Sequence, residues 1–130
     1  FQAIAEVGCA TQLDGLIVSN TTLSRAGLEH ARHGNESGGL SGVPLFALAT
    51  ERLRFFYRAT EGKIPLIGVG GIASAADAYQ KIRAGASLLQ IYTALIYQGI
   101  GLVGKIHRGL EAHLAADGLT HLTQAIGKDA

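Results

Sequence analysis

The sequence predicts an α/β fold made of consecutive βα units, part of a (β/α)8 TIM barrel and not the whole of one. Three observations predict it. Three apolar runs read as strands: Leu16-Ile17-Val18-Ser19, Pro65-Leu66-Ile67-Gly68-Val69 and Ser87-Leu88-Leu89-Gln90-Ile91. Each run finishes in glycine, hydroxyl or amide residues, at Ser19 to Thr22, Gly70-Gly71 and Tyr92-Thr93, and leads on to a helix-like stretch. Hydrophobic residues make up 48% of the chain, which suits strands covered on both faces. In such barrels the C-terminal strand ends carry the active site, and the last two strand–loop junctions commonly hold a phosphate. A complete barrel takes about 250 residues. This chain has 130, starts at Phe1 and contains no methionine, so a fragment is expected, with a complete small doubly wound domain as the alternative.

Each element has its own signal. Residues 1–9 read as a helix whose Ala3, Ile4, Val7 and Cys9 share an apolar face and which Gly8 stops, with Cys9 a small buried hydrophobe. Residues 20–42 are polar and glycine-rich, longer than an ordinary βα loop, as binding loops and lids are. Pro44 to Thr60 reads as a helix: Pro44 suits a first turn, and Leu45, Leu48, Ala49, Leu53, Phe56 and Tyr57 form the stripe. Ser74 is placed to cap the next helix, with Asp77 three residues on, and Gly85 closes it. Leu102, Ile106, Leu110 and Leu114 recur at helical spacing over Gly101 to Ala115, and a short helix is expected over residues 120–126. Right-handed crossovers put the ends of the three parallel strands on one side of the sheet.

Composition removes several function classes. With 11 basic and 10 acidic residues and no basic stripe, no nucleic-acid partner is expected. One cysteine allows no intrachain disulfide, and no Cys/His spacing points to a metal. No apolar run reaches the ~18 residues of a membrane span, and the first residues lack the pattern of a signal peptide.

The strand ends carry the chemistry. Gly68-Val69-Gly70-Gly71 runs into a helix start. Glycines let the backbone come close to a ligand, and their N–H groups can point at an anion. The helix start adds about half a positive charge, so a phosphate can sit there without a lysine. Tight strand-on-helix packing is the other reading of these glycines. The dinucleotide pattern G-x-G-x-x-G is not met, because Gly71-Ile72-Ala73 follows Gly70. Tyr92 and Thr93, through their N–H groups and the Thr93 hydroxyl, can complete the cup, or Tyr92 can pack over the rim. Ser19-Asn20-Thr21-Thr22 places four hydrogen-bonding side chains at a strand end. Asn20 offers both a donor and an acceptor, which suits a planar amide or imide, or else a turn. Gly38-Gly39-Leu40-Ser41-Gly42 reads as a further anion nest or a hinge. His30 and His33 read as solvated loop residues, Glu51, Arg52 and Arg54 as a solvated helix face, and His107 and His113 as surface positions.

Taken together, Ser19 to Thr22, Gly38 to Leu45, Ile67 to Ile72 and Arg83 to Ala94 strongly resemble the C-terminal part of the dihydroorotate dehydrogenases, and Ala125-Ile126-Gly127-Lys128-Asp129 resembles the family's ending. The likeness covers nearly the whole chain and is greatest to the quinone-dependent class 2. It implies that residues 1–130 are the last three βα units of an FMN-binding (β/α)8 barrel, an incomplete barrel. It implies that Gly42, Gly71, Tyr92 and Thr93 contact FMN, chiefly its phosphate, with Ser41 and Gly70 beside them. Ser19 matches a contact near the flavin and ribityl chain where the family usually has threonine. Asn20 and Thr21 match residues holding the pyrimidine of dihydroorotate or orotate. One departure is visible: Gly99-Ile100-Gly101 stands where the family commonly has Gly-Pro.

The resemblance implies oxidation of (S)-dihydroorotate to orotate in pyrimidine synthesis, with a quinone as electron acceptor and a membrane-associated parent, bacterial or mitochondrial. The base serine of the family lies on an earlier loop outside this chain, so no catalytic residue is expected here, and Ser41 is not that base. The rival expectations are another FMN barrel oxidoreductase (class 1, or a dihydropyrimidine or dihydrouridine type) and a piece with no activity by itself.

Overall fold

The computed structural model describes residues 1–130. Helix α1 (Gln2–Ala10) is followed by strand β1 (Leu16–Val18), then a long loop, then helix α2 (Phe46–Ala59). Strand β2 (Leu66–Val69), helix α3 (Ala75–Arg83) and strand β3 (Ala86–Gln90) come next, then helices α4 (Thr93–Gln98) and α5 (Gly101–Ala116). The three strands form one sheet in the order β1-β2-β3, all parallel, so their C-terminal ends share one rim.

The register separates two faces. Leu16 pairs with Leu66, and Val18 with Gly68, toward the helices. Ile17, Ile67 and Leu88 lie in register on the other face, where Ile17 and Leu88 remain exposed. The core sits between the sheet and α2: Leu53, Leu66 and Ala86 are buried with Val18 and Phe56. Full burial of one such leucine contributes about 1.5–3 kcal/mol. A second cluster joins α3 to α5 through Ala78, Leu102 and Ile106, with Ile72 from the preceding loop.

Ser74 caps α3 as expected: its Oγ accepts from Asp77 N at 3.1 Å. The Asp77 carboxylate accepts from Ala73 N at 3.0 Å and from the Ser74 hydroxyl at 2.8 Å. The long loop is strapped at both ends. Thr22 and Leu40 form an antiparallel bridge, and Arg25 Nη2 donates to Glu36 O at 2.8 Å and Gly38 O at 2.6 Å.

Several elements differ from the sequence expectation. Pro44 lies in a 3-10 turn (Val43–Leu45), and α2 starts after it. The short helix α4 was not anticipated, and the expected helix over 120–126 is a 3-10 turn (Leu122–Gln124). In α1 the buried residues are Ala5 and Gly8, while Ile4 and Val7 are exposed and Cys9 is half-buried. Small residues face inward there because the packing is close: a Cβ on Gly8 would lie 3.1 Å from Ile64 Cδ1. His113 is half-buried, its ring stacked on Tyr79 at 5.1 Å, and so is not a free surface position. Arg52 lies over the Phe1 ring at 4.7 Å, and Arg54 Nε donates to Asp129 O at 3.1 Å, so the charged face of α2 is partly engaged. No helix is long and apolar enough to cross a membrane.

Candidate functional site

At the shared rim lies a cavity of about 580 Å³. Thr22, Gly38 and Gly39 lie outside its lining, while the nine residues assigned to the flavin and pyrimidine contacts line it: Ser19, Asn20 and Thr21 after β1, Ser41 and Gly42 before α2, Gly70 and Gly71 after β2, and Tyr92 and Thr93 after β3. They span more than seventy positions of sequence and meet because parallel strands end on one side. Tyr97 and Gln98 of α4 also line it and were not anticipated. Gln98 Nε2 donates to Ala73 O at 3.0 Å, which ties α4 to the loop after β2. His30 and His33 stay on the long loop, exposed, with His33 Nδ1 2.6 Å from Glu36 Oε1.

Backbone donors surround this cavity. The N–H groups of Gly42, Gly70, Gly71, Tyr92 and Thr93 donate to no other group of the chain. Tyr92 is exposed, but the other four belong to half-buried residues, whose N–H groups are normally paired, so this cluster of free donors marks a place for an acceptor. The residues lining the cavity include no charged side chain. An anion there is met by amide dipoles and hydroxyls rather than by a lysine or arginine in contact.

Local sequence sets this geometry. Gly71 has φ +78, and a Cβ on it would fall 2.6 Å from Phe46 Cα and 2.7 Å from Phe46 N. Glycine lets the loop after β2 lie against the start of α2 with both backbones close to the ligand space. Across the rim, Thr93 Oγ1 donates to Ser41 Oγ at 3.0 Å. At the β1 end, Asn20 Oδ1 accepts from Thr21 N at 2.7 Å and Thr21 Oγ1 at 3.3 Å, which leaves the Asn20 amide NH2 free at the cavity. The Ser19 side chain makes no hydrogen bond within the chain and is exposed to the same space.

One further residue went unnoticed in the sequence. Lys81 of α3 is 0% exposed, and its Nζ donates to Val69 O at 3.4 Å, directly behind Gly70. Burial pulls its pKa down to about 8, with Arg54 acting in the same direction and Asp77 opposing. The signal was a lysine beside Ile82 and three positions after Ala78, both of which are buried.

The family model for dihydroorotate dehydrogenase matches residues 1–114. The chain is 60% identical over 126 residues to the dihydroorotate dehydrogenase (quinone) of Parvibaculum lavamentivorans, covering 97% of this chain and 36% of that protein. It is 53% identical over 130 residues to the dihydroorotate dehydrogenase (quinone) of Deinococcus deserti, covering 100% of this chain and 36% of that protein. Among solved structures it superposes on the DHODH of Eimeria tenella crystallised with ferulenol, with a TM-score of 0.94 at 41% identity. That match covers 98% of this chain and 34% of the other. The chain thus spans about a third of the length of these relatives, and its sheet and helices are three βα units of an incomplete (β/α)8 barrel. It belongs to the dihydroorotate dehydrogenase family.

Proposed function

We propose that this chain forms the phosphate end of an FMN site and one side of the adjoining pyrimidine site, in a protein that oxidises (S)-dihydroorotate to orotate with a quinone as final acceptor. The observation that carries the reading is the ring of free N–H groups from Gly42, Gly70, Gly71, Tyr92 and Thr93 around a cavity with no charged lining. A phosphate monoester has three acceptor oxygens and carries about −1.5 to −2 charge at neutral pH, which matches that donor set. The cavity volume, about 580 Å³, is within the range of small-molecule and cofactor sites. When bound, FMN supplies the hydride acceptor.

The residues divide the work by position. Gly70 and Gly71 meet the phosphate with their amides, and Gly42, Tyr92 and Thr93 close the other side. Ser41 acts through Thr93, whose hydroxyl it receives. Ser19 lies next to the flavin and ribityl chain. Asn20 turns its free amide NH2 to the pyrimidine carbonyl groups, held in that orientation by Thr21. The proton-accepting serine, the quinone site and the membrane association belong to parts of the protein outside these residues. By themselves, the 130 residues leave β1 and β3 as unpaired sheet edges and Ile17 and Leu88 exposed, so the piece alone is inactive and prone to associate.

The test uses the full-length protein carrying these residues. Added dihydroorotate is expected to bleach its flavin band, and ubiquinone to restore it. Restoration by fumarate or a nicotinamide instead would move the protein to another class of flavin barrel. Asn20→Ala is expected to raise KM for dihydroorotate about tenfold or more, while FMN affinity stays within about twofold. Loss of flavin with substrate affinity kept would overturn the assignment of Asn20.

A further inference from the structure

Lys81 is the one charged residue among the buried residues of the chain. It forms none of the ion pairs in the structure. An unpaired buried ammonium is costly, so its place in the fold calls for a reason. Its two neighbours are informative. Its Nζ donates to Val69 O, at the last residue of β2, and lies 5.0 Å from the centre of the Phe46 ring, the first residue of α2. These are the two backbone segments that meet at Gly70-Gly71, for a Cβ on Gly71 would strike Phe46. Lys81 therefore stands behind the junction from which the cavity's amides project.

The peptide unit is planar and trans, so its C=O and N–H point in opposite directions. With the Val69 carbonyl turned to Lys81, the Gly70 N–H is turned away from it, and Gly70 lines the cavity. That N–H has no partner in the chain. We propose that Lys81 is a positioning residue for a phosphate ester: from behind the loop its ammonium fixes the Val69–Gly70 peptide with the Gly70 N–H toward the anion, and supplies the positive charge that the lining lacks. The inference rests on the phosphate reading of the cavity given above. It also accounts for the burial, because Asp77 acts on Lys81 only from outside ion-pair distance, and a dianion in the cup is a further counter-charge.

The test is flavin binding to the full-length protein stripped of flavin, with FMN and with riboflavin, which lacks the phosphate. The ratio of the two affinities isolates the phosphate contribution. Lys81→Met is expected to weaken FMN about tenfold or more and to leave riboflavin within about twofold, since hydrogen bonds involving a charged group are the stronger ones. Lys81→Arg is expected to keep most of the FMN preference. Parallel losses for both flavins, or no change in either, would overturn the assignment. A wild-type protein that holds FMN no better than riboflavin would remove the phosphate cup and this inference with it. If Lys81→Met does not fold, Lys81→Gln is measured in the same way, and failure of both to fold makes Lys81 a structural residue and overturns the proposal.

Discussion

Thr93 donates its hydroxyl to Ser41 across 3.0 Å, joining the end of β3 to the loop before α2, 52 residues apart. This bond bridges the cavity between two of its free amides, those of Gly42 and Thr93. A Cβ on Gly42 would lie 3.3 Å from Thr93 Cγ2, so the two segments are already in close contact. Removing the hydroxyl at constant shape isolates the bond from the packing. Thr93→Val is expected to weaken FMN about two- to tenfold, the worth of one ordinary hydrogen bond, with Thr93→Ser near wild type. Quenching of FMN fluorescence on titration reads this directly.

Gly71 is the least replaceable residue of the rim. A Cβ there meets three atoms of Phe46 within 2.7 Å, two of them backbone, at a φ of +78. The left-handed conformation alone costs a side chain about 1–2 kcal/mol, and the clash adds to it because the start of α2 cannot yield without moving Leu45 and Ala49 in the core. Gly71→Ala is expected to lower stability by more than about 2 kcal/mol and to abolish flavin retention. Gly104→Ala, inside α5 with only the flexible end of Arg108 nearby, is expected to stabilise by up to about 1 kcal/mol. Denaturant midpoints of the two variants should move in opposite directions.

The strand ends were legible in the sequence because glycine, hydroxyl and amide residues break an apolar run only where the chain must meet something polar. Parallel topology then carried Ser19, Gly70 and Thr93 to one rim without any further assumption. What was not legible depends on partners distant in sequence. Helix α4 starts at Thr93, and its N-cap Tyr92 makes no side-chain capping bond, so it left no local signal, and Tyr97 and Gln98 were missed with it. The inward face of α1 is set by close approach to Ile64, which favours Ala5 and Gly8 over the larger Ile4 and Val7. Lys81 reads as one more polar residue of an amphipathic helix until Phe46 and Val69 are seen to cover it.

The C-terminal residues are held to α3 by a carboxylate clamp. Arg83 Nε and Nη2 donate to the two Asp129 oxygens at 2.6 and 2.7 Å, and Asp129 N donates to Arg83 O at 2.8 Å. The Arg83 hydrogen bonds hold the Asp129 carboxyl below its ordinary range. A depressed folded-state pKa gives stability that is present above the unfolded value of about 3.9 and is lost as pH falls through the folded one. Asp129→Asn is therefore expected to lower the melting temperature at pH 7, with the gap from wild type closing below about pH 4. Partial exposure of both side chains keeps the effect small. Thermal melts at pH 7, 5 and 3 test the sign, and a gap that widens toward acid would contradict the clamp.

Lys81 is expected to make FMN affinity and stability without flavin respond to alkali in opposite directions. Burial pulls the pKa of its ammonium down to about 8, well below the unfolded value of about 10.4. Between those values the unfolded chain binds more protons than the folded one, so flavin-free stability rises with pH. Binding of a dianion favours the charged ammonium, so FMN affinity falls over the same range. The charged side chains acting on Lys81 are Arg54 from α2 and Asp77 from its own helix. The second ionisation of a phosphate monoester, near pH 6, is complete before this window begins. FMN affinity is thus expected to be level at pH 7 to 7.5 and to decline above about pH 8, while riboflavin affinity stays flat. In Lys81→Met the FMN curve should be flat as well, at its lowered value. A decline that persists in that variant would place the titrating group elsewhere.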